Sequence, residues 1–410
     1  MNFIALRLDE HDSSVCYSNG TSVKYYKPER HFQVKHFGYN NYQGWYYACS
    51  HLGIDISKVD AIAIVIDVFK HPYLQKENPN KLYEIIDIPY KPFRDFKCPI
   101  YRVDHHYAHS LSSWMLTDTK NHAVLDGFGD LKRSISIFKK NKLEKSFTYD
   151  QIESFGRFMG KMGYLLGLEG HVEDLAGKVM ALQSFGLKDK RWEDQIKQLN
   201  IEQSSFVFDV NNYVKLFESE GVAKLNLINY LKTTHKFFEE KLPDFFKKYF
   251  KEDTLTYSGG VAHNVCVNTK LKNQFANIII PPHCADEGLT LGGIEFLRQH
   301  YNQPKFEVEN FPFWQTDIAP KRDASRKTIK SIAGDLANGE IIGWYQGHGE
   351  IGPRALGHRS ILMSPEVKNG KHIINKKVKH REDFRPFAAS IKLDQANKYF
   401  NIDGESNYMK

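Results

Sequence analysis

The sequence predicts an α/β protein. Short apolar runs rich in β-branched residues alternate with helical stretches, and tight turns of Gly, Asp or Ser separate them. Neither a tandem repeat nor a low-complexity tract breaks the alternation. The 410 residues leave room for two or three domains at about 150 residues each. With 41% hydrophobic and 26% charged residues, the chain can bury real cores and is neither disordered nor fibrous.

Taken in order, residues 3–8 and 15–17 read as two strands about the polar turn Glu10-His11-Asp12-Ser13-Ser14. Residues 60–68 (DAIAIVIDV) are apolar and β-branched, as a buried strand requires. A strand at 101–103 leads into HHYAHSLSSW, whose polar-apolar spacing predicts a helix. Residues 122–125 form a short strand that ends at Asp126-Gly127. Across 227–252, Leu231, Phe237, Phe238, Leu242, Phe245, Phe246 and Tyr249 recur on one helical face. A strand and turn follow at 254–260, then a strand at 277–280, the Pro281-Pro282 stop and a helix over 290–299. Residues 301–321 hold Pro304, Pro312 and Pro320 with little periodicity and read as a linker. A new helix-strand unit begins near 327, so the domain boundary is expected near 320, dividing 1–320 from 321–410.

Composition narrows the function classes. A bilayer span needs about 20 mostly apolar residues. Here the longest strongly apolar run, 61–69, is interrupted by Asp67, and the N-terminus MNFIALRLDEHD shows no secretory pattern. Cys16, Cys49, Cys98, Cys266 and Cys284 are odd in number and form no CxxC pair, so reduced thiols and a cytoplasmic location are expected. The net charge of +7 invites a nucleic-acid partner. Its distribution argues otherwise: residues 351–410 hold 12 Lys and Arg against 6 Asp and Glu, leaving about +1 for the first 350. The basic excess sits in one segment.

Four constellations could carry chemistry. His105 and His109 are four apart, which places both imidazoles on one helix face and suits two nitrogen ligands of one metal ion; two solvated helix histidines would look the same. Asp126 at a strand end and Asp286 at a strand-to-helix turn are carboxylates of the kind that converge beyond strand ends in α/β folds. Two His and two Asp would suit iron, zinc or manganese over a thiolate-preferring metal. Ser258-Gly259-Gly260, with Asn264 and Asn268 following, can bring backbone N–H groups up to a phosphate, although such a tripeptide is commonly only a turn. Glycines interrupt the helical pattern of 156–186 at about 1 kcal/mol each, more than a purely structural element should bear, and Lys178 there could reach a phosphate or simply face solvent. Finally, Arg354, Arg359, Lys379, Arg381 and Arg385 stand among Gly, Pro and aromatic residues. Rigid guanidinium forks of this kind recognise phosphate or carboxylate, so an anion pocket is favoured over a solvated charge run.

These motifs agree on one family. HDSSV at 11–15, HHYAH at 105–109, LDGFGD at 125–130, GKVMAL at 177–182, SGGVAHNVCVN at 258–268, DEGLTLGG at 286–293, GPRALGHRSI at 352–361 and VKHREDFRPFAAS at 378–390 resemble, in order, the ATP-dependent O-carbamoyltransferases of antibiotics and nodulation factors. The resemblance implies an actin/hexokinase-like duplicated domain followed by a partial YrdC-like α/β domain, shortened at the C-terminus. It implies ATP and carbamoyl phosphate as substrates, carbamoyl-adenylate as intermediate, and a hydroxyl acceptor. The acceptor would be a small molecule or a hydroxymethylated base such as 5-hydroxymethylcytosine in DNA or RNA. By position it makes His105, His109, Asp126 and Asp286 metal ligands, iron being the first choice before zinc or manganese, with magnesium accompanying ATP. Lys178, Gly259, Gly260, Asn264 and Asn268 would bind the nucleotide, and Arg354, Arg359, Lys379, Arg381 and Arg385 the carbamoyl phosphate. His11 is the expected general base, with Asp12 orienting it or contacting the nucleotide. A homodimer is a candidate assembly, as is a complementing chain that supplies what a shortened second domain lacks. The alternatives are a threonylcarbamoyl-transferase-like protein acting on tRNA, or a nucleotide-binding partner subunit.

Overall fold

The computed structural model describes residues 1–8, 11–38, 42–66, 81–88, 93–127, 129–148, 154–199, 224–251, 254–315, 325–401, 406, 408 and 409. β1 (Phe3–Arg7), β2 (Ser14–Ser18) and β3 (Val23–Tyr26) form an antiparallel meander. β4 (Ala61–Val65) adds parallel to β1. β5 (Tyr83–Ile85) and β6 (Ile100–Val103) complete the sheet, β6 parallel to β4 and β5 antiparallel at the outer edge. The order is β3-β2-β1-β4-β6-β5.

Helix α1 (His105–Leu111) then leads to a second antiparallel meander of β7 (His122–Leu125), β8 (Arg133–Lys139) and β9 (Lys142–Thr148). Helices α2 (Phe155–Leu165), α3 (Val172–Leu182) and α4 (Lys224–Tyr249) precede β10 (Leu255–Ser258), which pairs parallel to β7. After α5 (Val265–Lys272), β11 (Ile278–Ile279) pairs parallel to β10, giving β11-β10-β7-β8-β9. Helix α6 (Leu289–His300) returns to the first sheet. Read outward from β1 and from β7, both sheets are a meander followed by parallel strands. This is the duplicated architecture of the actin/hexokinase fold, and no sequence repeat accompanies it.

β1 and β4 are buried on both faces, which is why they read as unbroken apolar runs. Ile4, Leu6, Ile62 and Ile64 face one core. Phe3, Ala5, Ala61 and Ala63 face the other, shared with Ala108 and Leu111 of α1 and with Leu289, Ile294 and Leu297 of α6. The second sheet has its own core, where Phe238, Leu242 and Phe246 of α4 meet Phe158, Met162 and Tyr257. C-terminal to these, α7 (Arg326–Ala337) carries no buried residue, and β12 (Ile342–Tyr345) pairs with β13 (Arg359–Leu362) as a two-stranded ribbon.

Two sequence expectations need adjusting, and a third lies outside the described residues. The strand read over 60–68 is five residues long, and 67 and 68 lie outside the described residues. The boundary expected near 320 likewise falls outside them. Two of the glycines of 156–186 have a structural reason: a Cβ on Gly160 would stand 2.8 Å from Val172 Cγ2, and one on Gly163 would stand 2.7 Å from Leu175 Cβ. They let α2 and α3 approach closely, and that packing offsets their helix cost. All five cysteines are free. Among the described residues, no helix is long and apolar enough to cross a membrane.

Candidate active site

Helix α1 starts where Asp104 caps it, its carboxylate accepting from the Tyr107 N–H at 2.9 Å. All seven residues of α1 are buried, and the four-residue step brings His105 Nε2 to 3.2 Å from His109 Nε2. β7 ends one residue before Asp126, whose Oδ2 lies 3.2 Å from His105 Nε2 and 3.1 Å from His109 Nε2. The turn before α6 delivers Asp286, with Oδ1 3.4 and 3.5 Å from the same two nitrogens. Ligand atoms bonded tetrahedrally at about 2.1 Å stand about 3.4 Å apart, so these separations fit the first shell of one ion. His105, His109, Asp126 and Asp286 could therefore hold a metal.

The electrostatics agree. Burial by itself would raise the Asp126 carboxyl, yet hydrogen bonds from His105 and His109 hold it far below the usual range. Asp286 is likewise held down, against its burial, by His105 and by Arg7, whose Nη2 donates to Oδ2 at 3.0 Å. Burial would lower His105, but the Asp286 charge and the Asp126 bond outweigh it and push it up to about 10. Two buried carboxylates with one guanidinium demand further positive charge, from protons on the imidazoles or from a metal ion. The site is also braced from behind. Asp130 accepts from Arg102 Nη1 and from the His105 N–H, each at 3.2 Å, and Arg133 Nη1 donates to Asp104 at 2.5 Å. His106 turns away, its Nδ1 2.7 Å from Ser136 Oγ.

The glycine loop opens onto the same carboxylate. Gly259 has φ +94°, and a Cβ there would stand 2.1 Å from Leu125 O, so no other residue fits. Gly260 N–H donates to Asp126 Oδ1 at 3.3 Å, the oxygen that also accepts from Gly127 N–H at 2.6 Å. Asn264 and Asn268 are both turned to internal work. Asn264 caps α5, accepting from Val267 N–H at 3.3 Å and standing 2.8 Å from His235 Nε2. Asn268 donates to Ala262 O at 2.8 Å. No described contact brings Lys178 to the loop; its Nζ donates to Glu169 O and pairs with Glu382 Oε1, both at 2.6 Å.

His11 and Asp12 stand in a dense polar network. Asp12 has φ +52°, a left-handed conformation that a non-glycine residue adopts at a cost. Its carboxylate meets Lys27 Nζ at 2.8 Å, His11 Nδ1 at 3.1 Å and His36 Nδ1 at 3.0 Å. Burial would lower the His11 pKa, but the Asp12 bond and the Asp286 charge raise it. Asp12, Glu29 and His36 are near enough together to suggest a second ion, yet the Lys27 ammonium already bonds Asp12 and lies 3.3 Å from Glu29. Sequence reasoning missed Arg7, Lys27, His36 and Asp174. The available signal was a cation inside an apolar strand (Arg7) and one beside buried tyrosines (Lys27).

The C-terminal cations divide. Arg359 is committed to the turn: its Nε donates to Glu350 at 2.9 Å, and Glu350 also accepts the N–H groups of Leu356, His358 and Arg359. Arg381 donates to Asn375 at 2.7 Å and lies 4.6 Å over the Phe387 ring. Burial, then the charges of Arg381 and Arg385, lower Lys379; burial, then Arg385, lowers Arg381. Arg354 is lowered by burial, with Arg385 adding to it, and its Nε is buried without a hydrogen-bond partner. Lys379, Arg381 and Arg385 thus form one repelling group, with Arg354 within reach of Arg385.

The family described as Carbamoyltransferase C-terminus matches residues 333–410. Nodulation protein NolNO of Sinorhizobium fredii is 25% identical across 96% of this chain and 64% of its own length. The 3'-hydroxymethylcephem-O-carbamoyltransferase of Amycolatopsis lactamdurans is 32% identical across 38% of this chain and 31% of its own. Among solved structures, HypF of T. kodakarensis aligns with TM-score 0.47 and 14% identity over 73% of this chain and 48% of that one. The chain spans 59–64% of the length of the curated relatives matched over most of it. Carbamoyltransferase N-terminus matches residues 4–294, and with both lobes and the four converging side chains inside that stretch, the chain belongs to the carbamoyltransferase family.

Proposed function

We propose that this chain takes part in ATP-dependent O-carbamoyl transfer from carbamoyl phosphate. The observation that carries the reading is the double use of Asp126, which faces the His105–His109 pair through one oxygen and the glycine loop through the other. Such a carboxylate suits a nucleotide phosphate next to a cation. A divalent ion held by His105, His109, Asp126 and Asp286, iron before zinc or manganese, would polarise the phosphate as a Lewis acid. Arg354, Lys379, Arg381 and Arg385, in residues 321–410, would bind the phosphate of carbamoyl phosphate, the division near 320 and the YrdC-like character of that part belonging to the same reading. Hydrolysis there yields carbamate and phosphate. A carbamate oxygen attacks the α-phosphorus of ATP, pyrophosphate leaves, and carbamoyl-adenylate forms. The acceptor hydroxyl then attacks the carbamoyl carbon, its proton passes to neutral His11 Nε2, and AMP departs. Gly259 and Gly260 let the loop backbone approach the phosphates closely, while Asn264 and Asn268 hold that loop in shape. Asp12 fixes the His11 ring through Nδ1, leaving Nε2 for the acceptor.

The acceptor is a hydroxyl of a small molecule or of 5-hydroxymethylcytosine in nucleic acid. Incubation with ATP and carbonyl-labelled carbamoyl phosphate against a panel of both classes tests the reading. Label on an acceptor, with AMP and pyrophosphate formed, supports it; ATP-independent transfer, or none across the panel, refutes it.

A further inference from the structure

Lys178 and Glu382 join two distant parts of the chain. Lys178 projects from α3, one turn after Asp174, which pairs with Lys35 and stands 3.4 Å from His36 Nε2. Its side chain is 13% exposed, and its ammonium is 2.6 Å from Glu382 Oε1. Glu382 lies in the HREDFRP segment, among the cations assigned above to phosphate. Its second oxygen, Oε2, is buried without a hydrogen bond and 3.9 Å from Arg385 Nη1. The neighbouring Asp383 is turned to His372, at 2.8 Å. One carboxylate therefore pairs with Lys178 and faces Arg385 at 3.9 Å, and one of its oxygens is left without a hydrogen bond. A tetrahedral phosphate offers the same kind of acceptor with more oxygens and up to twice the charge.

We propose that Glu382 is an internal stand-in for the phosphoryl group, and that Lys178 is a ligand of that group which Glu382 holds until the substrate displaces it. The inference rests on the carbamoyl phosphate reading and adds to it a residue of the N-terminal region and a competitor within the pocket. It also accounts for the place of Lys178, which makes no described contact with the glycine loop. Oxyanion and carboxylate would exchange on the same ammonium, so anion affinity is reduced by the strength of the internal pair.

The test is calorimetric titration of the full chain with inorganic phosphate and with carbamoyl phosphate, at ionic strength fixed with sodium chloride. Glu382→Gln removes the competing charge at nearly constant shape and should bind phosphate about five- to tenfold tighter. Lys178→Met should bind it about tenfold more weakly, and adding Glu382→Gln to Lys178→Met should recover much less than it gains alone. Glu382→Asp, which draws the carboxylate back by one methylene, serves if the amide variant fails to fold, and should also bind tighter. Unchanged or weaker phosphate binding in the Glu382 variants, or unchanged binding in Lys178→Met, overturns the proposal. If these affinities shift as expected but no carbamoyl group is ever transferred, the stand-in survives and the functional reading falls. If transfer occurs and the affinities do not shift, the reverse holds.

Discussion

Arg7 brings its charge into the end of an otherwise apolar strand, and Asp286, 279 residues later, receives it. No local pattern can reveal such a pair, because the partners meet only after both lobes have formed. The motif residues His105, His109, Asp126 and Asp286 were legible, since their types and strand-end positions are local properties. Arg7, which holds Asp286, and Lys27 and His36, which hold Asp12, were not. Replacing His105 or Asp286 with Ala should abolish carbamoyl transfer and bound metal while leaving the circular dichroism spectrum intact; retained activity in both would refute the ligand set. Arg7→Met should weaken metal binding about 10- to 100-fold in a competitive chelator titration, the usual cost of losing a group that orients a ligand. His36 gives a pH prediction. Burial lowers its pKa, but bonds to Asp12 and Asp174 raise it from 6.5 to about 10. A histidine raised on folding contributes stability that is complete below its unfolded pKa and is lost as pH rises through the folded one. The melting temperature of the wild type, relative to His36→Gln, should therefore fall between about pH 6.5 and 10 and the two curves should converge above that.

At the scale of elements, buried strands were easy to find and their ends were not. The apolar stretch at 60–68 announced β4, but among the described residues Ala61–Val65 pair with β1 and only Ile62–Ile64 also pair with β6. The helical face at 227–252 appears as α4, Lys224–Tyr249, despite Pro243 within it. Gly160 and Gly163 of α2 misled because helix propensity is a local cost, whereas their benefit is contact with α3. Asp104 illustrates how one side chain serves two levels, capping α1 and pairing with Arg133. Asp104→Asn keeps a capping oxygen and removes the charge that the buried Arg133 Nη1 meets at 2.5 Å. The expected loss is about 3–5 kcal/mol in urea denaturation, against about 1 kcal/mol for a cap alone. A loss near the smaller value would mean that the ion pair does not support α1.

For the molecule as a whole, the two sheets repeat one plan that the sequence does not display as a repeat, because backbone topology tolerates nearly complete divergence of side chains. The separation of labour between regions is testable through Arg354. Arg354→Ala should prevent use of carbamoyl phosphate yet spare transfer from preformed carbamoyl-adenylate; equal loss of both reactions would show that the C-terminal cations are not a donor site.

The return of α6 to the first sheet sets an order of events for the chain as it is made. β1 and β4 lie within the first 65 residues, but Leu289, Ile294 and Leu297 of α6 cover their inner face. On a ribosome adding about 5–20 residues per second, that face waits some 10–50 seconds for its cover. The first lobe to be synthesised is therefore among the last to be finished, and until then Phe3, Ala5, Ala61 and Ala63 present an open apolar surface. A nascent chain arrested before Leu289 should bind chaperones and resist release, whereas one extended past His300 and clear of the exit tunnel should not.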